Sequence, residues 1–160
     1  MTEPIGLRRI RRTLMIHRIT QVVLIVLLLY MAILFQQRFQ QKYDSLKPFF
    51  NSVVLAVLIQ VAVFFPIRKF ADNEARRELN AAVKEQMSID EQKQLRNQRL
   101  LGDFIKASVF IFFVAFILIL KEQATFVHST AFFCCIGTFI NYLQNYNFAV
   151  RRRLSGTAAG

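Results

Sequence analysis

The chain has 160 residues, of which 54% are hydrophobic, and its formal net charge is +11. A soluble domain usually has fewer apolar residues, about 45–50%, and intersperses them with polar ones at the period of a helix or a strand. Here the apolar residues form long blocks, which excludes an ordinary soluble domain and removes nucleic acid as the reason for the positive charge.

Four apolar blocks reach or approach the length of a membrane span. A hydrocarbon core about 30 Å thick needs about 20 apolar residues in a helix that rises about 1.5 Å per residue. The blocks cover residues 14–35, 49–67, 104–120 and 126–150, and none carries a charge in its centre. The predicted fold class is therefore all-α integral membrane, a bundle of four transmembrane helices within residues 19–150.

The N-terminal segment, residues 1–18, is basic and amphipathic. Leu7, Ile10 and Leu14 share one face of a predicted helix. The opposite face carries the arginines Arg8, Arg9, Arg11 and Arg12. Such a helix can lie among lipid headgroups, where each basic residue binds anionic lipid by about 1 kcal/mol. The alternatives are an anchor that only orients the first span and, much less favoured, a signal peptide, for which the block lacks a small-residue cleavage site.

The distribution of lysine and arginine predicts the orientation. Seventeen of the 21 basic residues lie in the N-terminal segment, in the middle segment with its flanks, or in the C-terminal triplet. That triplet, which opens a tail (151–160) predicted to be flexible, is Arg151, Arg152 and Arg153. Because basic loops stay in the cytoplasm, both termini and the middle segment are predicted on the cytoplasmic side of the cell (inner) membrane.

The first loop and the second span have two proline signals. Gln36–Lys47 is polar and is predicted to be a loop, and Pro48 follows where a helix can begin. Pro66 lies near the inner end of the second span and has no amide hydrogen, so it leaves the carbonyl of Ala62 without its helical partner. A kink is predicted there.

The middle segment, residues 68–103, favours a helical hairpin. It has helix-forming residues, no glycine or proline from 71 to 101, and predicted intrahelical ion pairs Asp72–Arg76 and Glu74–Arg77. Ser88-Ile89-Asp90-Glu91 matches a capping box that starts a second helix. We therefore predict that the second and third spans extend into the cytoplasm as a hairpin, with a disordered loop as the alternative.

The fourth block differs from the others because it carries small and polar residues at helical spacing. They are Thr130, Cys134, Gly137, Thr138, Asn141, Gln144 and Asn145. In lipid, small residues let helices approach, and side-chain amides form hydrogen bonds across the contact. The sequence leaves three uses open: packing within the bundle, contact with a partner subunit, or the lining of a water-filled path.

Signals of catalysis or of a bound metal are missing from the sequence. His17 and His128 are predicted at opposite faces of the membrane, and the adjacent Cys134 and Cys135 point about 100° apart on a helix. There is no phosphate loop, G-x-S-x-G elbow or H-E-x-x-H motif. We predict neither enzymatic activity nor a cofactor or metal site.

Residues Gly102-Asp103-Phe104-Ile105-Lys106 resemble the G-[DE]-x-x-K start of the third span in the I-chain encoded beside bacterial ATP synthase subunits. That small accessory protein has four spans and often a basic N-terminus. The second span here lacks the glycines common in that family, and the hairpin is longer. The resemblance implies an accessory protein of a membrane complex.

Two functions remain as hypotheses. The first is a non-catalytic accessory, scaffold or assembly subunit that docks other membrane subunits through the fourth span and the hairpin. The second is a small homo-oligomeric channel in which Asn141, Gln144 and Asn145 line the inner mouth of a pore. The predicted partners are anionic lipid headgroups and either other membrane subunits or further copies of this chain, with no nucleic acid.

Overall fold

A computed structural model describes residues 5–83, 89–119 and 124–157. These residues form four helices and no strand: α1 (Ile5–Tyr43), α2 (Lys47–Val83), α3 (Ile89–Ile119) and α4 (Thr125–Thr157). Within that part of the chain, three helices are long and apolar enough to cross a membrane, namely α1, α2 and α4. The all-helical, membrane-type fold is therefore confirmed. The fourth predicted span, 104–120, ends outside the described residues.

The polar segment after the first apolar block is helical, which corrects the predicted loop. α1 continues to Tyr43, and the turn to α2 covers only residues 44–46. Glutamine, arginine and lysine are good helix formers, and the segment has no glycine or proline before Pro48. Phe39 is fully buried there, with its ring centroid 6.0 Å from that of Phe49. Asp44 has a φ of 48°, a left-handed conformation that aspartate tolerates better than most residues.

The N-terminal segment is continuous with the first span, whereas the sequence predicted a separate surface helix. Helix α1 begins at Ile5 and runs without interruption. Ile10 is only 4% exposed and belongs to the same buried cluster as Ala71 and Leu79 of α2. The apolar face that was assigned to lipid therefore contacts protein, while the side chains of Arg8, Arg11 and Arg12 remain exposed.

Aromatic contacts fix the directions of the helices. The rings of His17 and Tyr146 lie 4.8 Å apart, and those of Phe35 and Phe133 lie 5.9 Å apart, so α4 is antiparallel to α1 and parallel to α2. We call the end with the start of α1 and the ends of α2 and α4 the basic end. The opposite end, with residues 44–46 and the start of α4, is the turn end.

Helix α4 is the centre of the bundle. Half of its most apolar stretch is buried, compared with 6% in α1 and 11% in α2. Helix α3 is the opposite case. The structure describes the burial of most of its side chains, and none of these is buried. Two of its aromatic side chains contact the rest of the bundle: Phe110 lies 5.9 Å from Phe139 of α4 between ring centroids, and Phe113 packs against a buried cluster.

Two segments predicted to lie outside the bundle are extensions of its helices. Helix α2 continues through Pro66 to Val83, and α3 begins at Ile89, so the described parts of the hairpin are helical. The predicted turn of the hairpin lies in residues 84–88, outside the described residues, and the kink at Pro66 stays a prediction. Helix α4 continues to Thr157, which corrects the predicted flexible tail over residues 151–157, while residues 158–160 lie outside the described residues. Nη2 of Arg153 donates to both carboxylate oxygens of Asp72, at 2.8 and 3.0 Å.

Candidate functional site

A cluster of charged and aromatic side chains joins three helices near the basic end. The carboxylate of Glu74 in α2 accepts hydrogen bonds from Nζ of Lys106 in α3, at 2.9 Å, and from the hydroxyl of Tyr142 in α4, at 2.7 Å. Lys106 also pairs with Asp103, three residues earlier on the same helix, at 2.9 Å. We call Glu74, Lys106, Tyr142 and Asp103 the basic-end cluster.

The geometry of this cluster favours a strong interaction. The side chains of Glu74 and Lys106 are only 23% and 29% exposed, so water screens their attraction less than at an open surface. The ammonium group of Lys106 also lies 5.6 Å from the ring centroid of Tyr142, within the range of a cation–π contact. The ring of His17 faces Tyr142 at 6.4 Å, so this histidine packs among aromatic side chains.

The predicted ion pairs within α2 are replaced by contacts between helices. Asp72 binds Arg153 of α4, and Glu74 binds α3 and α4. One turn further, the carboxylate of Glu78 pairs with the guanidinium of Arg99, at 2.6 and 2.8 Å. These acidic residues face other helices because α2, α3 and α4 meet at the basic end, which a pattern within one helix could not reveal.

A second polar contact joins α2 and α4 inside the apolar region. Nε2 of Gln60 donates to the carbonyl oxygen of Cys134 at 2.9 Å and to Oγ1 of Thr138 at 3.1 Å. Gly137 makes room for this amide, because a Cβ there would lie 3.0 Å from Cδ of Gln60. Three residues of the predicted α4 face therefore pack within the same chain.

The remaining residues of that face have local partners or lie open. The hydroxyl of Thr130 is bonded to the carbonyl oxygen of Phe126 at 2.9 Å. Nδ2 of Asn145 donates to Oδ1 of Asn141 at 2.6 Å, and both side chains are half-buried. Gln144 is exposed. The predicted stripe is therefore not one continuous surface: its middle contacts α2, and only its end near the basic end is partly open.

Sequence reasoning missed Gln60, although a signal was present. Gln60 is the only polar residue between Val53 and Phe65. A single amide in a span is expensive to expose to lipid, and it indicates a hydrogen-bonding neighbour. Glu74 had no comparable signal, because an acidic residue in a charged helix is ordinarily a solvated one.

We expect Gln60 and Gln144 to differ in their effect on stability. Replacing Gln60 with Leu should lower the free energy of unfolding by about 1 kcal/mol, the scale of a hydrogen bond between transmembrane helices. Gln144→Leu, the matched change at an exposed position, should alter it by less than about 0.5 kcal/mol. Thermal unfolding of both variants in one detergent measures the difference. An equal loss of unfolding free energy in the two variants would contradict a stabilising contact between Gln60 and α4.

The exposed arginines mark the basic end. Arg151 and Arg152 are exposed beyond the apolar part of α4, on the same end as Arg11 and Arg12, whereas Arg153 is half-buried against Asp72. The side chain of Arg9 lies outside the described residues. This arrangement fits headgroup contact by the predicted arginines, which stays a prediction.

Groups suited to metal binding are lacking in the described ranges: no set of three or more His, Cys, Asp and Glu side chains could hold an ion there. Cys134 and Cys135 are free and buried. The fold and these contacts define a helical membrane-type protein with three apolar candidate spans. Comparison with protein-family models, curated proteins and solved structures gives no match. The resemblance to the I-chain therefore rests on residues 102–106 and the helix count.

Proposed function

We propose that the chain is a four-span protein of the inner membrane with both termini in the cytoplasm, and that α3 supplies the fourth crossing. The support is the direction of the helices. α2 ends at the basic end and α4 starts at the turn end, so the chain between them has to travel the length of the bundle. The apolar part of α3, residues 104–119, covers about 24 Å, which approaches the thickness of a hydrocarbon core of about 30 Å.

Within that membrane, the protein acts as a non-catalytic accessory, scaffold or assembly subunit. The observation that carries this proposal is that no α3 side chain whose burial is described is buried, so one face of this helix is open. Leu100 and Leu101, which precede the third apolar block and lie on the hairpin, are 59% and 60% exposed. Contiguous apolar side chains exposed outside the hydrocarbon region are typical of surfaces that bind another protein.

The contacts favour α3 and the hairpin over α4 as the docking surface. Gln60 occupies the middle of the α4 face, and half of the apolar stretch of α4 is buried by its own chain. The same contacts weigh against the channel hypothesis, because a pore lined by α4 needs that face open to water. Partner subunits therefore contact the hairpin first, where Leu100 and Leu101 stand out.

The test is the composition of the protein extracted in mild detergent. Stoichiometric foreign subunits are expected in the native complex, and Leu100→Ser with Leu101→Ser should release most of them. Met15→Ser is the control, since Met15 is 66% exposed and lies on α1 rather than on a helix of the hairpin. A clean homo-oligomer without foreign subunits, or equal loss in the control, would overturn the proposal.

A further inference from the structure

Two cavities lie end to end along the seam between α2 and α3. The first, of about 310 Å³, is walled by apolar side chains that include Ile67, Val109 and Phe139; we call it the apolar cavity. The second, of about 220 Å³, is lined by polar, charged and apolar side chains; because it holds the charged groups, we call it the polar cavity. Phe70 and Ile105 line both cavities, so the two are adjacent.

We call the two cavities together the slot, and their positions relative to the apolar blocks show which end faces the membrane. Ile67 closes the second apolar block, and Ile105 and Val109 open the third, so the apolar cavity lies at the edge of the hydrocarbon region. The charged lining residues of the polar cavity, among them Arg77, lie beyond that edge. The slot is therefore apolar on its membrane side and carries its charged groups on its basic-end side.

One cation at the slot stands outside the ion pairs found among the described residues. Arg99 pairs with Glu78 at 2.6 Å, and Lys106 pairs with Glu74 and Asp103, each at 2.9 Å. Arg77 lines the polar cavity, is exposed and belongs to none of these pairs. A guanidinium presents several donors that match the oxygens of a phosphate.

We propose that this slot binds one glycerophospholipid, with an acyl chain in the apolar cavity and the phosphate at Arg77. The combined space falls in the range of ligand cavities, about 300–1,000 Å³. The lipid would fill the gap between α3 and the core. The inference requires the chain to lie in a membrane, and its test reads lipid binding to the isolated chain, because Leu101 lines the polar cavity and also belongs to the proposed docking surface.

The lack of tryptophan in the chain allows a direct measurement. Phe139→Trp places a single fluorophore in the apolar cavity, and Leu58→Trp places one on the outer face of α2, where Leu58 is 61% exposed. Each variant in detergent is titrated with brominated phosphatidylglycerol, which quenches a nearby tryptophan. Quenching at position 139 should saturate at a low lipid fraction, whereas quenching at position 58 should rise in proportion to the lipid.

Two changes test the recognition of the phosphate. Arg77→Gln should raise the half-saturating lipid concentration at position 139 about tenfold, the scale of one charge-assisted hydrogen bond. Brominated diacylglycerol, which lacks the phosphate, should bind about tenfold more weakly than phosphatidylglycerol for the same reason. Neither change should affect quenching at position 58.

Two results would overturn the proposal. One is the same dependence of quenching on lipid at positions 139 and 58. The other is saturable quenching at position 139 that changes neither with Arg77→Gln nor with the loss of the phosphate. The chain without substitutions gives an independent readout if Phe139→Trp fails to fold. After detergent exchange, its native mass should include one phospholipid, and the Arg77→Gln chain should lose it. A chain that retains no lipid, or an Arg77→Gln chain that retains it equally, would refute the site.

Discussion

Replacing Glu74 with Gln is expected to lower the free energy of unfolding by about 2 kcal/mol and the unfolding midpoint by roughly 5 °C. The carboxylate accepts from Lys106 and from Tyr142 at the point where α2, α3 and α4 meet. The amide keeps the shape of the side chain and removes its charge, which leaves the partly buried ammonium of Lys106 with Asp103 alone. Thermal unfolding in detergent measures the change.

Glu78→Gln is the matched control for that prediction. Glu78 lies one turn from Glu74 on the same helix and pairs with Arg99, whose side chain is 37% exposed. Because this contact is closer to water and joins only α2 and α3, its loss should reduce the free energy of unfolding by less than about 1 kcal/mol. An equal loss of unfolding free energy in the two variants would mean that the basic-end cluster stabilises the fold no more than the pair of Glu78 and Arg99 does.

Replacing Gly137 with Val is expected to destabilise the protein by about 2–3 kcal/mol. The new side chain would enter the space of Gln60, since even a Cβ would lie 3.0 Å from Cδ and 3.3 Å from Nε2. Overpacking typically costs about 1–3 kcal/mol, and moving the amide also breaks its hydrogen bonds to Cys134 and Thr138. The unfolding midpoint of the variant is the measurement.

Two further variants separate this effect from a general intolerance of glycine replacement. A Cβ at Gly102 would lie 3.8 Å from Oε1 of Glu74, an ordinary contact. Gly102→Ala should therefore be neutral or stabilising by up to about 1 kcal/mol, because glycine weakens a helix interior. Adding Gln60→Ala to Gly137→Val should recover part of the loss by making room. No recovery would show that Gly137 matters for another reason.

The positions of the helices follow largely from the sequence. Long apolar blocks predict α1, α2 and α4, and the capping box at Ser88 predicts a helix in the stretch where α3, Ile89–Ile119, is found. The limits of α1 and α4 were wrong for one shared reason. Residues 36–43 and 151–157 are polar but contain few helix-breaking residues, so the helices extend beyond the apolar blocks that were used to define them.

The interhelical contacts were less accessible from the sequence. The small and polar stripe of α4 predicted a protein neighbour without saying which one. The donor that contacts it, Gln60, lies 74 residues from Cys134 along the chain. The pairing of Glu74 with Lys106 and Tyr142 depends on where three helices meet. A periodicity within one helix carries no information about which acidic residue reaches another.

The side of the membrane on which the C-terminus lies tests the four-span arrangement most directly. In a chain with Cys134 and Cys135 changed to Ala, Ser45→Cys reports on the turn end and Ser155→Cys reports on the basic end. If α3 crosses the membrane, an impermeant thiol reagent should label position 45 in intact cells and position 155 only after permeabilisation. Labelling of both positions in intact cells would mean that α3 does not cross, and would contradict the arrangement proposed for this protein.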